Sequence, residues 1–191
     1  IIADASGHGV PAAFITSMLK MAFQNTNIRK NIFKPQEILK EINNNLFDKI
    51  AGNFITAFYC YFDLDKKTVQ FSCAGHTPLI VQNLNTKELF SYHPKGRVLG
   101  FIENAEYELQ ELQISSPLRF FFYTDGLTEA TNEEDVEFSL SLDEILKTHT
   151  GIDCESFCDR LIERFKNHAL YKTKTELDDD VAIVVIDLLL N

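Results

Sequence analysis

Apolar residues recur at helical spacing in four segments of the chain. The first segment begins just after two glycines and has Pro11 in its first turn, followed by apolar positions at Ala13, Phe14, Met18, Leu19 and Ala22. Proline suits a first turn because an N–H group there has no partner within the helix. The second segment spans residues 35–50, with apolar positions at Ile38, Leu39, Ile42, Leu46 and Ile50. The remaining two helices are predicted near residues 140–148 and 154–168.

The middle of the chain changes to short runs rich in β-branched and aromatic residues, which are typical of strands. These runs are FITAFYCYFDL, TVQFSCAG, PLIVQNL, ELFSY, YELQELQI and LRFFFYT. Residues 65–67 and 85–86 have the length of hairpin connections, so antiparallel pairing is expected. A final run, VAIVVIDLLL, is apolar without alternation, which predicts a strand buried on both faces. Together the elements predict an α+β fold with strands stacked between helices.

Composition indicates an ordered globular domain with an acidic surface. The chain has 191 residues, of which 45% are hydrophobic and 24% charged, and no repeat or linker divides it. We therefore predict a single domain over residues 1–191. The net charge of -10 argues against nucleic acid or anionic lipid as a partner and favours cations, including metal ions. No signal peptide or membrane anchor is predicted.

The four cysteines are expected to be free thiols. Cys60 and Cys73 lie in strand-like runs, whereas Cys154 and Cys158 are four residues apart in a predicted helix. The latter two could face one another as metal ligands, but no second Cys or His pair has a familiar zinc-site spacing. Buried or partly buried free thiols are typical of a reducing compartment, so a cytoplasmic location is predicted.

Aspartates stand at strand ends in three distant parts of the chain. Asp4 lies in IIADASGHG, Asp125 in FFFYTDGLTEA, and three consecutive aspartates, Asp178 to Asp180, precede the last strand. A strand end is a rigid platform, and an adjacent glycine lets a ligand approach closely. Converging carboxylates repel one another unless a cation lies between them, and Mg²⁺ prefers oxygen ligands. Each piece alone also has a plain structural reading, as a turn, a solvated loop or a helix cap.

Five short motifs follow one another along the chain. They are D-x-S-G-H-G-x-P-A-A at residues 4–13, A-G-H-x-P at 74–78, L-G at 99–100, Y-T-D-G-L-T-E-A at 123–130, and D-D before the last strand. In this order they resemble the SpoIIE branch of the metal-dependent, type-2C-like serine/threonine protein phosphatases. The resemblance covers nearly the whole chain and implies an αββα sandwich, in which two stacked, mainly antiparallel sheets are flanked by helices.

The resemblance also implies which residues hold metal and do the chemistry. Asp4 would bridge two metal ions with the backbone carbonyl of Ala5 as a neighbouring ligand, and Asp125 and Asp179 would complete the second ion's site. The supporting residues would be Gly7, Gly9, Gly126 and Asp180. The motif that contains Gly75 and His76 is interpreted as structural, because the metal chemistry does not need it.

The implied activity is hydrolysis of phosphoserine or phosphothreonine on a protein, without a covalent enzyme intermediate. Two Mg²⁺ or Mn²⁺ ions would activate a bridging water and offset the charge that develops on the phosphate. His8 could supply a proton to the leaving group through water. The implied substrate is a regulatory protein of a bacterial partner-switching pathway, such as an anti-sigma-factor antagonist, and the intact protein would carry an upstream sensor or regulatory domain.

The chain departs from the family pattern in three places. The family's Gly-Gly-Asp segment would lie upstream of residue 1, so we expect an N-terminally truncated domain that alone shows weak or no metal binding and activity. Ala182 stands where the family often has threonine, and Ser139 where glycine is common.

Two other functions compete with the phosphatase reading. One is a catalytically inactive binding or scaffold module with the same fold, which the retained aspartates argue against. The other is a domain with a structural Ca²⁺ site, but no D-x-[DN]-x-[DN]-G loop is present.

Overall fold

The computed structural model describes residues 1–26, 34–149, 151–170 and 174–189. In chain order the elements are β1 (Ile2–Ala5), α1 (Gly9–Asn25), α2 (Pro35–Leu46), β2 (Ile55–Asp63), β3 (Thr68–Ala74), β4 (Leu79–Asn83), β5 (Leu89–Tyr92), β6 (Gln110–Gln113), β7 (Leu118–Tyr123), α3 (Asp125–Thr128), α4 (Ser139–Thr148), α5 (Cys154–Ala169) and β8 (Ile183–Leu188). They form two four-stranded antiparallel sheets with helices, which confirms the predicted α+β class. Among the described helices, none has the length and apolarity that a membrane crossing requires.

The first compact unit comprises residues 1–76 and 93–115 and contains the sheet β1-β2-β3-β6 with α1 and α2. The hairpin at residues 65–67 joins β2 to β3 in antiparallel register, as predicted. Helix α2 buries the apolar stripe that its spacing predicts, formed by Ile38, Leu39, Ile42 and Leu46. These side chains share one hydrophobic core with Ile15 and Ala22 of α1.

Helix α2 ends at Leu46, so the predicted helix over residues 35–50 is wrong at its C-terminal end. Asp48 and Ala51 have φ values of 60° and 50°, in the left-handed region that a right-handed helix cannot include. Ile50 is nevertheless buried in the core of the first unit. Its apolar side chain therefore fits the helical pattern, although its backbone has left the helix.

The L-G motif joins a loop to β2 and α2 within the first unit. Leu99 and Ile55 exchange two backbone hydrogen bonds of 2.8 and 3.1 Å. The Gly100 N–H donates to Asn43 Oδ1 at 2.9 Å. Gly100 has a φ of 82°, and a Cβ there would collide with the side chain of Ile50. A structural requirement therefore explains this glycine.

The second compact unit comprises residues 77–92 and 116–191 and contains the sheet β5-β4-β7-β8. Strand β7 lies between β4 and β8 and is buried at all six positions. Helices α4 and α5 contribute apolar side chains to the core of this unit, including Leu142, Ile145, Leu146, Phe157, Leu161 and Phe165. Both helices agree with the predicted segments to within one residue at each end.

Strand β8 is not buried on both faces, so that prediction is wrong. Within the described residues β8 is an edge strand that pairs with β7. Val184 is 42% exposed, and the other five positions are only half-buried. A continuous apolar run shows that a strand tolerates burial, but its place in the sheet decides how much of it is covered.

The core of the second unit contains a buried arginine that no motif indicated. Arg119 on β7 is 1% exposed, and its guanidinium donates two hydrogen bonds of 2.7 Å to the Asp187 carboxylate on β8. It also donates to the carbonyl oxygens of His149 and Ile152 and stacks over Phe157, 4.6 Å from the ring centroid. Burial alone would lower the pKa of Arg119, but the hydrogen bond and charge of Asp187 raise it above its ordinary value.

The four cysteines are free thiols, as predicted, and Cys73 is buried while the other three are half-buried. Burial raises the pKa of Cys60 to about 12 and that of Cys73 to about 11. The thiolate is the nucleophilic form of cysteine, so both thiols are unreactive near neutral pH.

Candidate metal centre

Asp4 is held in β1 by its pairing with β2. It lies directly opposite Thr56 in the antiparallel register, and the next residue, Ala5, lies opposite Ile55. Side chains at directly opposed positions of an antiparallel pair are neighbours on one face of the sheet. The Thr56 hydroxyl lies 2.8 Å from Nδ1 of His76, which is 4% exposed. The half-buried Asp4 side chain therefore has a fixed neighbour in Thr56.

The loop after β1 is fastened to the start of β2 by Ser6. The Ser6 N–H donates to the Phe54 carbonyl, and the Phe54 N–H donates to Ser6 Oγ, both at 2.9 Å. Gly7 and Gly9 then adopt φ values of 89° and 73°, which other residues rarely take up. These glycines turn the chain from β1 into α1. His8 between them is exposed, and its side chain makes no capping hydrogen bond to the helix.

Asp125 is brought next to the Asp179 segment by close packing at Gly126. Asp125 begins the short helix α3 directly after β7, and its Oδ1 accepts a hydrogen bond of 3.1 Å from the Gly126 N–H. A Cβ placed on Gly126 would lie 2.5 Å from the Asp180 carbonyl oxygen and 3.3 Å from Asp179 Cβ. Only glycine permits this approach of the two segments, so two of the predicted ligands occupy neighbouring positions within the second unit.

Thr124 fixes the backbone around Asp180. Its N–H donates to the Ala182 carbonyl at 3.0 Å, and its hydroxyl accepts from the Ala182 N–H at 2.9 Å. The same hydroxyl donates to the Asp180 carbonyl at 3.3 Å. Thr124 is 4% exposed, so these bonds are shielded from water. Thr124 belongs to the motif at residues 123–130, but the motif alone gives no sign of these hydrogen bonds.

The three consecutive aspartates have different surroundings. Asp178 forms an ion pair with Lys174, whose side chain is 16% exposed compared with 70% for Asp178. Asp179 instead accepts a hydrogen bond of 2.8 Å at Oδ1 from the Asp180 N–H. A cavity of about 140 Å³ adjoins them, lined by Gly126, Glu129, Ala130, Lys174, Leu177, Asp178 and Asp179. Lys174 therefore offsets one of the negative charges at this cavity.

Replacing Gly126 by alanine is expected to destabilise the protein by about 1–3 kcal/mol, the usual cost of overpacking a tight contact. The new methyl group would meet a backbone oxygen rather than a flexible side chain, so the segment at Asp180 must move. The loss of stability is measured by thermal unfolding of Gly126→Ala, with Gly151→Ala as the control. A Cβ on Gly151 meets nothing within 4 Å. Equal melting temperatures for the two variants would show that the contact at Gly126 is not tight.

A family model and two curated proteins match nearly the whole chain. The model for Stage II sporulation protein E (SpoIIE) matches residues 1–189. The chain belongs to the SpoIIE family. This SpoIIE-family chain is 26% identical over 186 residues to phosphoserine phosphatase RsbU of Bacillus subtilis (strain 168), covering 97% of the chain and 54% of RsbU. Phosphoserine phosphatase RsbP of the same organism is 26% identical over 194 residues, covering 98% and 45%. The chain thus spans about half the length of these relatives.

Solved structures with the same fold are PP2C-type phosphatase domains. The SiaA-PP2C domain of Pseudomonas aeruginosa has a TM-score of 0.83 at 20% identity, covering 97% of this chain and 74% of that one. The PP2C phosphatase domain of Bacillus subtilis SpoIIE, solved with a fragment of its regulatory domain, has a TM-score of 0.73 at 19% identity, covering 96% and 51%. RsbX in complex with magnesium has a TM-score of 0.62 at 17% identity, covering 96% and 77%. The predicted family and fold class are confirmed.

Proposed function

We propose that the protein hydrolyses phosphoserine or phosphothreonine on another protein with the help of Mg²⁺ or Mn²⁺. The observation that carries this proposal is family membership over residues 1–189, together with two relatives that are named phosphoserine phosphatases. The proposed ligands are the carboxylates of Asp4, Asp125 and Asp179 and the backbone carbonyl of Ala5. Two ions are proposed, as the resemblance implies.

The donor set suits a hard divalent cation. Asp4, Asp125 and Asp179 could each offer one carboxylate oxygen to an ion. Carboxylate, carbonyl and water oxygens are the ligands that Mg²⁺ and Mn²⁺ prefer, whereas softer metals favour thiolate or imidazole. The magnesium complex of RsbX, which has the same fold, supports this choice of ion.

In this proposal the protein's own residues hold and orient the metal ligands, and no side chain forms a covalent bond to the substrate. Metal ions bound there would lower the pKa of a water molecule, hold phosphate oxygens and offset the charge that develops during attack on phosphorus. Gly7 and Gly9 shape the loop after Asp4, while Gly126 and Asp180 support Asp125 and Asp179. Burial raises the pKa values of all four cysteine thiols, which argues against a cysteine nucleophile.

The proposed substrate is a regulatory protein of a bacterial partner-switching pathway in the cytoplasm, such as an anti-sigma-factor antagonist. The resemblance to RsbU and RsbP supports this choice. The whole protein is proposed to carry a sensor or regulatory domain as well, since its relatives are about twice as long as the chain and SpoIIE has a regulatory domain. The net charge of -10 makes a nucleic acid a poor partner for this domain.

Removal of metal is expected to abolish turnover of a phosphoserine peptide by the protein at its full natural length. Hydrolysis would be measured as the release of phosphate under three conditions. These are before EDTA is added, in excess EDTA, and after dialysis into Mn²⁺, Mg²⁺ or Ca²⁺. We expect Mn²⁺ or Mg²⁺ to restore activity, because these ions fit octahedral oxygen sites and Ca²⁺ prefers more ligands at longer distances. Turnover that persists in protein checked to be free of metal would disprove the mechanism. A folded protein that is inactive with every ion would favour the scaffold function.

A further inference from the structure

The A-G-H-x-P motif, residues 74–78, has no part in the metal chemistry proposed above, yet two of its adjacent side chains make specific hydrogen bonds. His76 Nδ1 lies 2.8 Å from the Thr56 hydroxyl. Thr77 donates from its hydroxyl to the backbone carbonyl of Tyr123. Each bond reaches a strand that carries or borders one of the proposed ligands.

The first bond acts on the strand next to Asp4. Thr56 is the residue of β2 directly opposite Asp4, so its side chain borders the space that the Asp4 carboxylate can occupy. The backbone before His76 is itself fixed, because Gly75 bridges to Ala57 and has a φ of 66°. His76 thus presents a buried imidazole from a rigid position and limits the rotamers of Thr56.

The second bond acts on the strand end that leads into Asp125. Pairing between β4 and β7 ends at Ile80 and Phe121, two residues before Tyr123. Beyond this pair, the Thr77 hydroxyl donates a hydrogen bond to the Tyr123 carbonyl. Asp125 follows two residues later. Without this hydroxyl, a buried residue at the end of β7 would lose a partner for its carbonyl, and the strand end could shift.

We propose that His76 and Thr77 are positioning residues for the metal ligands: His76 acts on Asp4 through Thr56, and Thr77 acts on Asp125 through the end of β7. This inference rests on the proposed function and extends it to a motif without an assigned role. Residues that orient metal ligands typically affect metal affinity by about 10- to 100-fold. A motif with a purely structural role would instead change thermal stability and leave metal affinity unchanged.

The test compares isosteric and conservative variants of the protein at its full natural length. Thr77→Val and Thr56→Val remove a hydroxyl and keep the shape, whereas Thr77→Ser and Thr56→Ser keep the hydroxyl. Thr86→Val is the control, because the Thr86 hydroxyl bonds Glu88 in an exposed turn. Mn²⁺ affinity is measured by titration calorimetry, the melting temperature by unfolding without metal, and kcat and KM with a phosphoserine peptide.

We expect both valine variants to weaken Mn²⁺ binding by about 10-fold or more and to lower kcat with little change in KM. Both serine variants and Thr86→Val should bind Mn²⁺ as the wild type does. Valine variants that keep wild-type Mn²⁺ affinity, with or without a lower melting temperature, would overturn the inference while the proposed function stands. A wild-type protein that binds no Mn²⁺ would overturn both. Thr56 and Thr77 are tested by separate variants, so if one variant does not fold, the variant at the other position still tests the inference.

Discussion

Asp125→Asn in the protein at its full natural length is expected to lower kcat for a phosphoserine peptide by about a thousandfold, the equivalent of several kcal/mol of transition-state stabilisation. Asparagine has nearly the shape of aspartate but lacks the negative charge that a divalent cation requires. Asp125 follows the buried strand β7 and lies next to the Asp179 segment, so its charge has a clear use only when a cation is present.

The same substitution is expected to leave the stability of the metal-free protein unchanged or slightly higher. Neighbouring carboxylates repel one another without a cation, and removal of one charge relieves that repulsion. Asp143→Asn is the matched control, because Asp143 is an exposed residue of α4 in the same unit. Steady-state kinetics and unfolding without metal would be measured on both variants. A parallel loss of activity and melting temperature in Asp125→Asn would show that Asp125 is a structural turn residue.

Asp187→Ala is expected to reduce the free energy of unfolding by about 3–5 kcal/mol, the usual cost of leaving one partner of a buried ion pair alone. Arg119 is 1% exposed, and its guanidinium donates hydrogen bonds to both carboxylate oxygens of Asp187. Two further hydrogen bonds from the guanidinium reach the carbonyls of His149 and Ile152. Loss of the Asp187 carboxylate would therefore leave the buried guanidinium without its ion-pair partner.

Chemical denaturation of suitable variants can separate two free energies. One is the cost of leaving the Arg119 charge buried without a partner, and the other is the net contribution of the ion pair to stability. Asp63→Ala is the control, because it breaks the ion pair with Lys66, whose side chain is 78% exposed, and exposed pairs contribute little. The double variant Arg119→Met with Asp187→Leu should recover much of the loss, since apolar residues often replace a buried pair at little cost. An Asp187→Ala variant as stable as Asp63→Ala would show that Arg119 finds other partners.

Local patterns predicted most of the fold because burial acts on them directly. The stripe of Ile38, Leu39 and Ile42 follows helical spacing, and all three side chains are fully buried in α2. The strand runs likewise paired through the short connections expected of hairpins. Errors arose where neighbours decide the outcome, as at β8, whose edge position depends on the order of strands in the sheet.

The sequence located candidate ligands but could not find the residues that hold them in place. Asp125 and Gly126 form a visible motif, and the close approach to Asp180 explains why glycine follows the aspartate. The roles of Thr77 and Arg119 depend on hydrogen bonds to residues 46 and 68 positions away. No periodicity or spacing in a single sequence records such pairings, because the partners meet only after the sheet has formed.

The proposed metal centre is tested most directly by anomalous diffraction from a crystal of the protein at its full natural length, grown with Mn²⁺. We expect a manganese peak within about 2.0–2.3 Å of carboxylate oxygens of Asp125 and Asp179, and a manganese ion on Asp4, because manganese prefers hard oxygen ligands. A crystal grown in excess Mn²⁺ that shows no manganese at these three aspartates, or shows it only at other residues, would show that they do not form the metal centre.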